Sequence, residues 1–344
     1  METQARAAGE TKSMKVREGL TSVLIFILAS LIAAGVGEAV LRIRNSAMNN
    51  YDIEMWRYAK ALKVRSADPI MDFDHVRNGA AVLESVSIRT NAWGLRGGPV
   101  GPPNPGVRRI LFLGSSITLG WGVKEEDTLT QQVQQIFAAR GQTVEVLNGG
   151  VGNYNTQRAV ERFFVDLQGL APTDIVVQYF LRDAEQLERG RGGPLLRNSE
   201  LAASLWMAAD RLTNRSGEAA LEDHYRNVYR PASPGRQAML AALKRLSDYA
   251  RAHHIRLYLA MTPDIHNLQN YPFGYIHELM RRTADADGYR FIDLLPAFRG
   301  LSPAQVWAMP GDPHPNALGH RRMAEALYPV LAEGSPFAKA PPHR

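Results

Sequence analysis

The sequence contains no cysteine among its 344 residues. Disulfide bonds, thiolate nucleophiles and cysteine-ligated metals are therefore excluded, and the chain suits an oxidising compartment as well as a reducing one. A basic stripe is also missing, because the formal net charge is +6 but the basic residues are scattered along the chain. Nucleic-acid binding usually needs such a stripe together with a recognition element, so we expect no nucleic-acid partner.

Charge is absent from one stretch near the N-terminus. Residues 20–37 read LTSVLIFILASLIAAGVG, and basic residues flank them on both sides. This run is long enough for a slightly short transmembrane helix and too long for most signal-peptide cores. We therefore predict an uncleaved signal anchor over residues 20–41. Because positive charge lies on both flanks, charge alone leaves the orientation open.

Downstream of the anchor, apolar runs alternate with amphipathic segments. Residues 42–66 have the pattern of a helix, and VLESVSIRTN (82–91) alternates as a single strand would. Strands are predicted at 108–114, 143–148, 174–180, 256–262 and 290–295, and helices at 126–140, 155–169, 235–253, 274–286 and 316–332. This alternation predicts an α/β fold, a three-layer α/β/α sandwich around a mainly parallel sheet.

The same pattern divides the chain into segments. We predict an N-terminal tail at 1–19, the anchor at 20–41, a juxtamembrane spacer at 42–84, the α/β domain at 85–332 and a flexible tail at 333–344. Residues 184–233 lack a strand pattern, so within the domain they are predicted to form a helical insertion covering one end of the sheet.

The first predicted strand of the sheet ends in LFLGSSITLGWG (111–122), where an apolar run gives way to small and hydroxyl residues. Open α/β sheets bind ligands at the C-terminal ends of their strands. Ser116 could therefore be a nucleophile, or it could simply cap the next helix. This segment alone leaves both interpretations open.

A second polar segment, GDPHPNALGH (311–320), precedes the last predicted helix. Prolines on both sides of His314 favour an extended loop, in which Asp312 points to the same side as the imidazole. A carboxylate that close can hold the ring in one tautomer and stabilise its protonated form, as in a catalytic triad. The alternative is a proline-rich helix entry with an incidental histidine.

Other candidates are expected to have structural roles. We expect His320 to be a packing or surface residue, and the Asp264–His266 pair to be structural or to lie on the substrate side. Four aromatic residues are more easily explained as core than as a sugar-stacking cleft: Trp121, Tyr154, Tyr179 and Phe180. No grouping has convincing metal-ligand spacing, so neither a metal nor another cofactor is expected.

The order of these segments resembles the SGNH (GDSL-like) hydrolase superfamily. Members carry a G-D-S block, a glycine block, an Asn-Asp block and a D-x-H-P or D-x-x-H-P block, in that order. The corresponding residues here are Gly114–Ser116, Asn148–Asn155, Leu181–Asp183 and Asp312–Pro315. Three further stretches look like membrane-anchored bacterial members, which often belong to envelope or exopolysaccharide systems: TNAWGLRG (90–97), GWGVKEEDT (120–128) and TPDIHNLQNYPF (262–273).

The resemblance implies a role for each matching residue. Ser116 would be the nucleophile, His314 its general base and Asp312 the residue that orients the base. The backbone N–H groups of Gly150 and Ser116 would donate to the oxyanion, in two-step acyl transfer through a serine ester. Ser115 stands where most members have aspartate, which makes it a nearby rival of Ser116.

Arg182 is the main departure from the family pattern. It occupies the place of the asparagine whose amide completes the oxyanion hole in the family. Arg182 could donate to the oxyanion itself, or it could pair with Asp183 or Glu185. The missing amide could then come from Asn155 or Asn153.

Together with the anchor, this resemblance implies a membrane-anchored serine esterase that acts on O-acyl groups, with acetyl esters of an envelope or exported polysaccharide as the leading substrate. Two alternatives remain open: an O-acyltransferase using the same triad, and a catalytically silent binding or assembly module of the same fold. The expected partners are an acylated carbohydrate, the membrane and polysaccharide-assembly proteins. The expected location is the bacterial inner membrane, crossed once, with the catalytic domain in the periplasm.

This topology predicts that alkaline phosphatase fused after residue 344 is active, because that enzyme matures only outside the cytoplasm. A reporter that works only in the cytoplasm, fused at the same position, serves as the control and should be silent. Strong activity of the cytoplasmic reporter would contradict the predicted orientation.

Overall fold

The computed structural model describes most of the chain, namely residues 2–187, 193–213, 218–309 and 312–333. The predicted C-terminal tail lies outside these residues except for Glu333. The chain divides into two compact units. One unit comprises residues 1–53 with 192–213, and the other comprises residues 54–191 with 214–344.

Most strands have three or four residues, and four strands of the central sheet are longer, with six or seven. In chain order they are β1 Lys63–Arg65, β2 Phe73–His75, β3 Ala80–Leu83, β4 Val86–Arg89, β5 Arg108–Gly114, β6 Val144–Gly150, β7 Asp174–Tyr179, β8 Arg256–Met261, β9 Arg290–Asp293, β10 Trp307–Met309 and β11 Asp312–Pro315.

The helices include one of 44 residues at the N-terminus. In chain order they are α1 Glu2–Asn45, α2 Tyr51–Leu62, α3 Ser116–Leu119, α4 Leu129–Ala139, α5 Thr156–Arg162, α6 Pro194–Asn198, α7 Glu200–Thr213, α8 Glu218–Val228, α9 Pro234–Ala252, α10 Gly274–Asp287, α11 Pro303–Val306 and α12 Ala317–Glu333.

The central sheet has five parallel strands in the order β6-β5-β7-β8-β9. Strand β5 coincides with the predicted strand RRILFLG, and all seven of its residues are buried. A parallel strand covered on both faces needs such a continuous apolar run. Because the first strand of the sheet lies between the second and third, the order is that of flavodoxin-like folds. The predicted α/β fold is confirmed.

Two hydrophobic cores lie on the two faces of the sheet. Leu111 and Leu113 of β5 point into the core that contains α5, α9 and α10. Ile110 and Phe112 point into the other core, with α4 and α12. Successive residues of one strand therefore serve opposite layers, which gives the three-layer sandwich.

The N-terminal unit contains the predicted anchor. Within α1, Arg17–Asn45 is long and apolar enough to cross a membrane, with a mean hydropathy of 2.4 over its most apolar window and none of that window buried. Glu38 accepts hydrogen bonds from the Ser199 hydroxyl and the Leu201 N–H, both at 2.8 Å. This carboxylate therefore caps the N-terminus of α7.

Two segments differ from the prediction. Residues 82–91 were expected to form one strand, but β3 and β4 pair antiparallel as a hairpin, with Leu83 opposite Val86. The prediction of one strand was wrong, because the turn at Glu84 and Ser85 has positive φ angles of 48° and 63° without the glycine or asparagine that usually marks such turns. Likewise, residues 42–66 are not one helix, since α1 ends at Asn45 and α2 begins at Tyr51.

The predicted spacer also behaves differently from a linker. From Glu54 onward it belongs to the same compact unit as the sheet. Arg162 of α5 is fully buried, forms an ion pair with Asp74 of β2 at 2.7 Å, and donates hydrogen bonds to the carbonyls of Gly149 and Gly94 at 3.0 and 2.9 Å. This one guanidinium therefore ties the segment before the sheet to the end of β6.

Removing that guanidinium should cost considerable stability. Arg162→Met leaves the Asp74 carboxylate without its partner, and breaking a buried ion pair in this way typically costs about 3–5 kcal/mol in free energy of unfolding. The control is Arg245→Met, since Arg245 pairs with Glu161 while half exposed, and such a pair is worth about 0–1 kcal/mol. Denaturant unfolding of both variants decides the matter, and equal losses would contradict the structural role of Arg162.

Candidate active site

Ser116 lies directly beyond the C-terminal end of β5, as the first residue of α3. The N-cap of this helix is Ser115, not Ser116, and Ser115 makes no side-chain capping bond. Gly114 precedes them where a Cβ would lie 2.1 Å from the Thr118 hydroxyl and 2.9 Å from the Gln178 carbonyl. Only glycine fits this close approach of β5 to Thr118 and β7, so the position directly before the two serines has no side chain.

The hydrogen-bond partner of the Ser116 hydroxyl is His314. Its Nε2 lies 2.8 Å from Ser116 Oγ, and its Nδ1 lies 2.5 Å from Asp312 Oδ1. Asp312 is fully buried, while the imidazole is 11% exposed. The same carboxylate oxygen also accepts the His314 backbone N–H at 3.0 Å. With its proton held on Nδ1 by the carboxylate, the ring turns the lone pair of Nε2 toward the serine.

The structure therefore brings Ser116, His314 and Asp312 into one hydrogen-bonded chain. Residues Asp312–Pro315 form the extended strand β11, which pairs antiparallel with β10 and turns Asp312 and His314 to the same side. The arrangement can transfer a proton from the serine hydroxyl to the imidazole while the carboxylate stabilises the resulting charge.

Gly150 ends β6, which pairs with β5, the strand that leads to Ser116. A Cβ on Gly150 would lie 2.2 Å from the Leu119 nitrogen, so glycine is required for α3 to pack against β6. Its N–H donates to Asn148 Oδ1 at 3.1 Å. The predicted role of this N–H at an oxyanion stays a prediction, and would require that bond to be released.

Asn153 was not singled out as a backbone donor by the sequence. It is exposed, it has a left-handed φ of 67°, and its N–H makes no hydrogen bond within the described part of the chain. A left-handed asparagine after Gly152 was the available signal, because asparagine tolerates that conformation better than most residues. Asn153 thus offers, in the loop that follows β6, an N–H that no described residue accepts.

Arg182 and Asn155 have other partners in this structure. Arg182 is 60% exposed, and its Nε lies 3.3 Å from Glu185 Oε2, so of the two pairings that the sequence allowed the structure has the one with Glu185. Asn155 caps α5 by accepting the Arg158 N–H, and its amide donates to the Glu185 carbonyl at 3.0 Å. Asp183 is buried, which raises its pKa to about 8, and it accepts a hydrogen bond from Thr156. The predicted oxyanion roles of Arg182 and Asn155 stay predictions.

A buried relay from the predicted spacer supports the loop after β6. The Gly152 N–H donates to the Tyr58 hydroxyl at 2.8 Å, and this hydroxyl lies 2.6 Å from His75 Nε2. Burial lowers the pKa of His75 to about 3, so the ring is neutral. Nδ1 then donates to the Gly94 carbonyl at 2.8 Å and Nε2 accepts from Tyr58. A lone tyrosine and a lone histidine in a spacer carry no sequence signal for this role.

The histidine and aromatic residues that were expected to have structural roles lie mostly in the protein interior. His320 is fully buried, accepts the Leu129 N–H at 3.1 Å and has its pKa lowered to about 3 by burial, as expected of a packing residue. His266 is half exposed, with Asp264 at 2.9 Å and the Trp307 ring beside it. Three of the four aromatic residues, Trp121, Tyr154 and Tyr179, are buried in the core. Among the described residues, no three His, Asp or Glu side chains are grouped to hold a metal ion.

The fold of this chain is similar to that of several solved protein structures. No protein-family model matches the sequence, and no curated protein matches it. The chain is similar in structure to a mutant form of an acetyl-xylooligosaccharide esterase from Geobacillus, with 16% sequence identity and a TM-score of 0.44. The similarity covers 70% of this chain and 99% of the esterase. TesA matches with 14% identity, coverage of 65% and 98%, and a TM-score of 0.43. The psychrotrophic esterase EstA from Pseudoalteromonas matches with 13% identity, coverage of 66% and 97%, and a TM-score of 0.43. Similarity at this level assigns no activity to the chain.

Proposed function

We propose that this protein is a serine esterase that hydrolyses O-acyl esters. The observation that carries the proposal is the hydrogen-bonded chain from Ser116 through His314 to the buried Asp312. A serine hydroxyl is a weak nucleophile unless an adjacent base takes its proton as it attacks. Here the base is in contact with the hydroxyl and is itself held by a carboxylate, which is the arrangement that this chemistry needs.

The reaction proceeds in two steps. Ser116 Oγ attacks the ester carbonyl while His314 Nε2 takes the hydroxyl proton, and the tetrahedral intermediate collapses when His314 returns that proton to the leaving alcohol. Water then attacks the acyl-serine with the same base, releasing the carboxylic acid and the free enzyme. Asp312 stays ionised throughout and stabilises the imidazolium.

Backbone N–H groups are the donors that we propose for the oxyanion. The Ser116 N–H lies in the first turn of α3, where helix N–H groups have no partner within the helix. The second donor is either Gly150 at the end of β6, as the sequence resemblance implies, or Asn153 in the loop that follows, whose N–H has no partner among the described residues. Hydrogen bonds of this kind often form only once substrate is bound.

The substrate class follows from the sequence resemblance and the anchor. We infer that the esters are acetyl groups on an envelope or exported polysaccharide, and that the protein crosses the bacterial inner membrane once with its site in the periplasm. Polysaccharide-assembly proteins would then be its neighbours. An O-acyltransferase would use the same residues, with an acceptor sugar hydroxyl in place of water.

The nucleophile is tested with an organophosphonate ester, which a base-activated serine attacks as it does a carbonyl carbon. Applied to the full chain in detergent, the probe should label Ser116. His314→Ala should abolish labelling, and Asp312→Ala should slow it less, because the orienting carboxylate contributes less than the base. Mass spectrometry locates the adduct. An adduct on the neighbouring Ser115, or labelling that survives His314→Ala, would refute the assigned roles.

Substitutions at Arg182 test whether its side chain donates to the oxyanion or only forms a surface ion pair. An oxyanion donor supplies roughly 100- to 1000-fold in kcat, whereas an exposed ion pair contributes only about 0–1 kcal/mol to stability. Because Arg182 pairs with Glu185 at the surface, we expect Arg182→Ala to change kcat less than about tenfold. The control is Glu185→Ala, which breaks the same pair and should have an equally small effect. A hundredfold loss for Arg182→Ala alone would restore the donor role that the sequence suggested.

If Arg182→Asn instead creates hydrolysis in a protein that otherwise has none, the silent binding module becomes the better account. Steady-state kinetics and melting curves on these variants separate the three outcomes.

A further inference from the structure

The second carboxylate oxygen of Asp312, Oδ2, has no hydrogen-bond donor among the described residues. Oδ1 accepts two hydrogen bonds from His314. Oδ2 is buried, and as long as every carboxyl group is ionised, no described residue donates a hydrogen bond to it. A buried acceptor without a partner costs free energy, and more so when it carries charge. A neighbouring group that can supply a proton would relieve that cost.

Glu84 is that neighbour. It lies in the turn of the β3–β4 hairpin and is only 9% exposed. Its backbone N–H donates to Glu54 Oε2 at 2.8 Å, and the turn holds a left-handed φ of 48° that is unfavourable for glutamate. A Cβ on Gly122 would lie 2.8 Å from Glu84 Oε2, so the glycine keeps this space open. The strained turn thus holds one carboxyl group inside the protein.

The surroundings of Glu84 disfavour a negative charge. Trp121 donates to Oε1 at 2.7 Å, and this is a neutral donor. The charged groups facing Glu84 are Asp312 on β11 and Glu54 on α2, both of them carboxylates, and Arg57 is engaged with Glu54 at 2.8 Å. Burial, first, and then the negative charge of Asp312 and a hydrogen bond to Asp312 raise the pKa of Glu84 to about 8, and the Trp121 donor only partly opposes this.

We propose that Glu84 is a positioning residue of the site: its carboxyl group keeps its proton at neutral pH and donates it to Asp312 Oδ2. The inference rests on the proposed function for its catalytic consequence. Asp312 then accepts on both sides, from His314 at Oδ1 and from Glu84 at Oδ2. The second bond fixes the plane of the carboxylate, so Asp312 holds the His314 ring with Nε2 directed at Ser116.

The kinetic test compares two variants of nearly equal volume. Glu84→Gln keeps a donor that cannot ionise, and Glu84→Leu removes the donor. Loss of a hydrogen bond to a charged group corresponds to roughly 10- to 100-fold, so Glu84→Leu should lower kcat by that factor with KM unchanged, because Glu84 does not touch substrate. Glu84→Gln should stay within about threefold of the parent at pH 7.

The pH profile distinguishes proton donation from packing. Parent kcat should fall roughly fivefold between pH 8 and pH 9, as Glu84 loses its proton, and Glu84→Gln should not show this fall. Ser116→Ala supplies the background rate at each pH. An unchanged alkaline decline in Glu84→Gln, or full activity in Glu84→Leu, would overturn the proposal.

A second measurement is independent of esterase activity. Glu84 has its ordinary pKa of 4.5 when unfolded and a raised one when folded, so the folded state binds the extra proton and parent stability falls as pH rises from about 4.5 to about 8. The Tm of Glu84→Gln minus that of the parent should therefore grow over this range and then level off. A constant difference would overturn the proposed proton. If the parent hydrolyses no ester but the Tm difference grows, the proposed function has failed and the hydrogen bond stands.

Discussion

The burial of the Asp312 carboxylate is the constraint on which the site depends. An ionised carboxylate away from water must be surrounded by donors, and His314 supplies two of them, one from its ring and one from its backbone. Once Nδ1 is committed to that bond, Nε2 faces Ser116, and the direction of proton transfer is set. The geometry of the proposed base thus follows from the solvation of a single charge.

The fold makes this solvation of the Asp312 carboxylate possible by bringing distant parts of the chain together. Ser116 and His314 are 198 residues apart, yet β5 ends and β11 passes at the same edge of the sheet. The segment before the sheet contributes support from the other side, since Tyr58 and His75 hold the loop after β6 and Glu84 reaches the carboxylate. A region that reads as a spacer therefore stabilises the site that the sheet creates.

The sequence predicts well what depends on local pattern. The apolar runs of the buried strands locate β5 to the residue and β7 to within one residue, and the Asp-x-His spacing with its prolines identifies the pair on β11. It does not reveal contacts that exist only after folding. The hairpin turn at Glu84 lacks a glycine or asparagine signal, and the sequence left several pairings open for Arg182, among which only packing could choose Glu185. Gly150 reads as an oxyanion glycine, but its lack of a side chain is already required by the packing of α3.

The central claim is that Ser116 is an activated nucleophile that turns over an ester. The most direct measurement is the release of acetate from a chromogenic acetyl ester by the full chain in detergent, beside Ser116→Ala. Removal of a triad serine typically lowers the rate by about 10⁶-fold, so the variant should keep only about a millionth of the parent rate. Equal rates for the two proteins, or no hydrolysis by either of them across acetyl esters of sugars and simple alcohols, would contradict the account.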